Sequence, residues 1–142
     1  MFLGYKLIQH TADVGIVAQG ASMGDAFGFA ASGLFSLITD TSTLKQDKII
    51  PLEFISDSYE NLLVKWLNEL IYIFDTQILV FGRFEVAVNS AFKLTAICFG
   101  QKVNADTPLH HYVKAATYHL LKVKRLPEGT SFKCYWISRR QL

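Results

Sequence analysis

The chain has 142 residues, 51% of them hydrophobic and 18% charged, and a formal net charge of +2. That length suits one domain, covering residues 1–142, that buries a core without staples, and the composition argues against disorder. The near-neutral charge and short Lys/Arg clusters argue against strong direct nucleic-acid binding. No apolar run approaches the roughly 18 residues of a membrane span.

Residues 4–9 and 13–19 read as two short strands, the second almost entirely small or β-branched. Gly20-Ala21-Ser22 breaks the pattern, and Ser22 with Asp25 has the spacing of a helix start. Met23, Ala26, Phe27, Ala30, Ala31, Leu34, Phe35, Leu37 and Ile38 then recur at helical spacing. Gly24, Gly28 and Gly33 each weaken that helix by up to ~1 kcal/mol relative to Ala, which predicts close packing against a sheet. Residues 39–46 are turn-like. Residues 48–55 form a strand that Pro51, lacking an amide donor, assigns to a sheet edge. Ser56-Asp57-Ser58 supplies a cap for a second helix, where Tyr59, Leu62, Leu63, Trp66, Leu67, Leu70, Ile71 and Phe74 keep the helical period.

After Asp75 the period becomes two. Residues 78–81 form a short strand, and Phe84, Val86 and Val88 alternate with polar or small neighbours. Asn89-Ser90 turns the chain into a run in which Phe92, Leu94, Ala96 and Cys98 alternate, giving a hairpin. Residues 101–111 form a loop holding Asp106, Pro108, His110 and His111. Residues 113–116 resume a strand, 117–119 make a turn or a single helical turn, and 120–126 with 132–137 form a last hairpin. The order predicts an α+β fold: mainly antiparallel sheet or sheets with two helices packed on an apolar face.

Several catalytic and nucleotide-binding patterns are missing, among them GxGxxG, the P-loop, GxSxG and HExxH. Cys98 and Cys134 form no CxxC pair and read as buried thiols of a reducing compartment. With no basic-then-apolar leader before the first strand, the expected location is cytoplasmic. Three places carry candidate chemistry. Asp13 with His10 lies at a strand end, where a carboxylate serves as a hard-cation ligand or, more commonly, as an Asx-turn. His110, His111, Lys114, Thr117, Tyr118 and His119 gather groups able to hold a phosphate, a carboxylate or a metal. Lys114, between two apolar residues, must be at the surface or paired. Glu69 and Asp75 close the second helix and read as a solvated face.

His10-Thr11-Ala12-Asp13-Val14-Gly15-Ile16, the helix string from Leu62 to Leu70 and the late Val113-Lys114-Ala115-Ala116-Thr117-Tyr118-His119 together resemble the archease family. The three motifs occur in order, and the resemblance runs to about Phe132. It implies a non-enzymatic protein cofactor that activates the RtcB-type RNA ligase of tRNA splicing, promoting its guanylylation and multiple turnover. The tRNA halves would be met indirectly, through the ligase. The family's metal, usually calcium, is held by the Asp of the HTAD motif and an Asp-Ile pair at the C-terminus. Asp13 matches the first ligand. The second is missing, because this chain ends Arg139-Arg140-Gln141-Leu142 and no acidic residue follows Glu128. With the chain ends aligned, Gln141 or the Leu142 carboxylate are the stand-ins; with the preceding strand aligned, Ser138 or Arg139 falls there, and an Arg would repel the ion, so calcium affinity is expected to be weaker than the family's or absent. His10, His111, Lys114, Thr117, Tyr118 and His119 then make a patch facing the ligase. Two other readings differ in class: a metal-dependent or small-molecule-binding enzyme using Asp13, His111 and His119, and a chaperone-like RNA-processing accessory module.

Overall fold

Two capped helices set the frame. The structure, a computed structural model, describes residues 3–9, 13–110, 112–125 and 132–141. Strands β1 (Gly4–Gln9) and β2 (Asp13–Gly20) lead into helix α1 (Met23–Ile38), which starts where the sequence predicts: the Asp25 amide donates to Ser22 Oγ at 3.0 Å. A short 3-10 turn at Thr41–Thr43 precedes β3 (Lys48–Ile55). Helix α2 (Tyr59–Gln77) is capped in the same way, with the Asn61 amide donating to Ser58 Oγ. Each cap satisfies an amide that the first turn would otherwise leave without a partner. Strands β4 (Leu79–Val88), β5 (Lys93–Lys102), β6 (Tyr112–Arg125) and β7 (Phe132–Gln141) complete the chain.

The strands form two antiparallel sheets, one in the order β1-β2-β7-β6 and the other β3-β5-β4. Both helices touch strands of both sheets, so the α+β architecture is as the sequence predicts. β3, carrying the exposed Pro51, lies at an edge where its missing donor is not needed. Two expectations are corrected. The strand after α2 begins at Leu79, because α2 continues to Gln77 and Ile78 closes it in the left-handed region at φ 55°. It then runs unbroken to Val88, with Gly82 taken up as an extra residue where the register steps between Phe81 and Arg83. Likewise residues 117–119 are strand, inside a continuous β6, because the surplus residues are absorbed as irregularities against β7.

The core fills the space between helices and sheets, with Trp66, Phe27, Phe35, Phe81, Ile16 and Leu34 fully buried. Trp66 buries its one polar atom without cost, because its indole N–H donates to the Phe27 carbonyl of α1 at 3.1 Å. Phe84 stands within 5.9, 6.0 and 6.2 Å, centroid to centroid, of Phe35, Trp66 and Phe81, so β4 is keyed to both helices. The three helix glycines are not equivalent. A Cβ on Gly24 would fall on the Val86 carbonyl of β4, and one on Gly33 would crowd Ile16 at 3.1 Å. One on Gly28 would make only ordinary contact with Val86 at 3.6 Å.

Gly24→Ala is therefore expected to destabilise by about 1–3 kcal/mol, through overpacking against backbone. Gly28→Ala should stabilise by about 0.5–1 kcal/mol through helix propensity. Urea denaturation of the two variants checks both signs.

Candidate functional site

The termini of the described chain meet on β7. β2 pairs with β7 through eight successive positions, from Asp13 opposite Arg139 to Gly20 opposite Phe132. β6 flanks β7 on its other side, with Ala115 opposite Arg139, Ala116 opposite Ser138 and Thr117 opposite Ile137. One rung of the sheet thus reads Asp13–Arg139–Ala115, joining the opening motif to the late one across about a hundred residues of sequence. Beneath it the sheet is anchored: Val14 and Val113 are buried in the core. The loop entering β6 is tied to the end of α1, where the His110 amide donates to the Ile38 carbonyl at 2.7 Å. Thr39 Oγ1 donates to the Pro108 carbonyl at 2.5 Å. These bonds satisfy groups that a helix C-terminus leaves open and fix where β6 begins.

The sequence-predicted residues fall as follows. Asp13 opens β2. Lys114 is the extra residue between Val113, opposite Arg140, and Ala115, opposite Arg139. Tyr118 and His119 lie in a second irregularity, where residues 118–121 face the single residue Trp136. Thr117 keeps regular pairing two rungs from Asp13. Gln141 pairs with Tyr112 at the far end of β7. His10, His111 and Leu142 lie outside the described residues. The register thus brings together Asp13, Lys114 and Thr117, and it sets Tyr118 and His119 farther along β6. Bulges of this kind re-aim side chains and gather beside functional sites. Of the residues offered by sequence for the position across from Asp13, the register selects Arg139, with Ser138 opposite Val14 and Gln141 beyond the β2 pairing. The signal was present in the apolar alternation of residues 14–18 and 134–138, which fixes that register once the two strands are paired.

Glu69 is half-buried and Asp75 exposed at the end of α2, remote in the chain from this rung. A cleft of about 360 Å³ lies between α1 and β4, lined by Gly24, Asp25, Ser32 and Glu85 among others. Among the described residues, no helix is long and apolar enough to cross a membrane.

Residues 5–137 match the Archease protein family (MTH1598/TM1083). The chain is 34% identical over 123 residues to the protein archease of Sulfolobus acidocaldarius, covering 85% of this chain and 88% of that one. It is 35% identical over 125 residues to the protein archease of Pyrococcus abyssi, with the same coverage. In structure it is similar to Methanobacterium thermoautotrophicum protein 1598, with a TM-score of 0.84 and 28% identity over 96% of this chain and 98% of that one. It shares its fold with a Thermotoga maritima protein described as an archease and possible chaperone, with a TM-score of 0.62 and 20% identity over 94% and 95% of the two chains.

Among the described residues, the titration of Asp40 and of Cys98 is shifted. The Asp40 carboxyl lies below its ordinary value, mainly because the Ser42 hydroxyl and then the Ser42 amide donate to it at the start of the 3-10 turn. Burial pushes the Cys98 thiol up to about 12. The folded state therefore keeps a proton that the unfolded thiol loses. This contribution to stability is complete below about pH 9 and is lost as the pH rises toward about 12. At about pH 8, alkylation of Cys98 by iodoacetamide should be at least about 100-fold slower in the native protein than in guanidinium, read by peptide mass spectrometry. Equal rates would show that the thiol is not held in the core.

Proposed function

This chain belongs to the archease family, and on that premise we propose that it is a non-enzymatic accessory protein that activates an RtcB-type RNA ligase. In this role it promotes guanylylation of the ligase and repeated turnover in tRNA splicing, and meets tRNA halves through the ligase. The observation that carries the reading is the Asp13–Arg139–Ala115 rung. Two motifs far apart in sequence occupy the two strands that flank β7 at one end of a sheet, with irregular pairing at Lys114 beside them. An irregular, polar sheet end over a packed core suits docking to another protein's active centre better than it suits chemistry of its own. Asp13 and Lys114 are the groups assigned to that contact.

The residues present do not fit the family's cation. Calcium takes six to eight oxygen ligands and favours several carboxylates. Here one carboxylate stands across from a guanidinium-bearing residue, Arg140 follows, and Gln141 is two residues farther along β7. An arginine at the register position across from Asp13 brings neither an oxygen ligand nor a negative charge to that position. We therefore assign this chain a metal-independent form of the role.

A second reading has its own observation. Leu3 just before edge strand β1, Tyr5, Leu7 and Ile8 along it, and Ile49, Ile55 and Ile97 on the second sheet, are large apolar side chains left exposed. Such surface suits holding another protein's apolar segments, as a chaperone-like accessory protein would.

With a cognate ligase, the wild-type protein should stimulate guanylylation, and Asp13→Ala should lower that stimulation by about tenfold or more while melting like the wild type. Equal stimulation by both would remove Asp13 from the account. Calcium at about 5 mM should leave the wild-type melting temperature within about 1 °C, whereas Arg139→Asp should gain a calcium-dependent rise. A wild-type rise of several degrees that Asp13→Asn abolishes would contradict the metal-independent form.

A further inference from the structure

The sheet β3-β5-β4 leaves one face uncovered. Leu94, Ala96 and Cys98 of β5 are buried on the helix side, and Thr95 and Ile97 are exposed on the other. The register sets two rungs on that outer face, Ile49–Phe99–Arg83 and Pro51–Ile97–Glu85. The open face of an antiparallel sheet is ordinarily polar. Here four of these six positions are apolar, and Ile49 and Ile97 are 59% and 37% exposed. Both edges of the sheet are closed to a further strand. Pro51 offers no amide at the β3 edge, and α1 lies against β4 where Gly24 meets the Val86 carbonyl. A partner must therefore lie on the face itself.

The charges on these rungs select the occupant. The Arg83 guanidinium stands 4.5 Å from the centre of the Phe99 ring, and it pairs with Glu85 two residues along β4. The patch is thus neutral and favours neither a strongly acidic nor a strongly basic partner. It is complementary to itself for one placement of a twofold axis. With the axis in the plane of the face, across the strands and between the two rungs, Arg83 of one copy faces Glu85 of the other, twice over. Phe99 then meets Ile97 and Ile49 meets Pro51, as in two sheets stacked about 10 Å apart. An axis through either rung sets like charge on like. One along β5 sets both charges against Ile49 and Pro51. Sheet twist makes the corners diverge, so Glu53 and Lys93, paired with each other at 2.9 Å, stay at the rim.

We propose that two copies of this chain associate face to face through the outer surface of β3-β5-β4, at Ile49, Arg83, Glu85, Ile97 and Phe99. Two rungs of three strands fall well below the ~800 Å² per partner of a stable interface, so the dimer is weak, with a Kd on the order of 100 µM. This goes beyond activation of a ligase and does not rest on it. Of the exposed apolar residues named above, it assigns Ile49 and Ile97 to a second copy and leaves those along β1 to other proteins.

Sedimentation velocity of the full chain from about 10 µM to about 1 mM tests the proposal. The wild type should pass from monomer to dimer over that range and stop there, because a twofold contact closes. Ile97→Lys should raise Kd by about tenfold or more. Tyr72→Lys, at an exposed apolar position on α2, should leave it within about twofold. Arg83→Glu and Glu85→Arg should each weaken self-association by about tenfold or more. An equimolar mixture of these two variants should regain at least the wild-type affinity, because every facing pair is again of opposite charge. For the same reason Arg83→Glu/Glu85→Arg in one chain should dimerise like the wild type. Thermal melts establish that each variant is folded. A wild type still monomeric at about 1 mM would overturn the proposal, as would growth beyond two copies or equal losses in Ile97→Lys and Tyr72→Lys. Failure of both charge exchanges to regain the dimer would overturn it too. The ligase assay of the preceding section, run at low micromolar protein where the chain is monomeric, succeeds or fails separately.

Discussion

The pairing of β2 with β7 is the constraint on which the rest of the structure depends. It joins the beginning of the chain to its end in eight unbroken register positions, and it makes β7 the strand that β2 and β6 share. A slip by one residue would exchange the faces of the whole strand and drive Val14, Ile16 and Ala18 out of the core. The burial of those three side chains therefore holds Asp13 opposite Arg139. The same apolar contacts that stabilise the fold set the position of its polar end. Long-range pairing of this kind carries a loop-closure cost that local contacts avoid, so it is well placed to depend on the prior formation of the helices.

The helices supply the platform. α1 approaches β4 so closely that Gly24 has no room for a side chain, and α2 is fastened to α1 by the Trp66 indole on the Phe27 carbonyl. Bonds from Thr39 and His110 to either side of the α1 terminus carry that rigidity into the start of β6. The irregular stretches of β6 thus begin from a fixed point, which lets strand irregularity serve position instead of weakening it. The charge distribution follows the same division. The helices and the second sheet hold half of the acids, and strands β6 and β7 hold half of the cations and no acid.

Much of this was legible in the sequence because local rules and packing agree there. Ser22 and Ser58 cap the helices they were expected to cap, Pro51 marks an edge strand, and the apolar period of α2 corresponds to its buried face. The misreadings lie where pairing overrides local signals. Residues 117–119 have turn-like chemistry but are strand, because β7 pairs with the residues on both sides and leaves the excess as a bulge. Ile78, a β-branched residue expected in a strand, closes a helix at positive φ because Leu79 must enter β4 immediately after it. At the site, Asp13 and Lys114 could be named from their residue types. Which of Ser138, Arg139 and Gln141 stands across from Asp13 could not be settled, since strand pairing is a property of the fold and not of any window of sequence.

An Asp–Arg rung that unites two motifs at one sheet end is the centre of this account, and the register of β2 against β7 tests it most directly. Interstrand nuclear Overhauser effects on isotope-labelled protein read that register residue by residue. The account predicts backbone contacts between Asp13 and Arg139, Gly15 and Ile137, and Val17 and Tyr135, in one unbroken series. Contacts from Asp13 to Arg140 or Gln141 instead would contradict it, because the partner, the face and the motif juxtaposition would all change together.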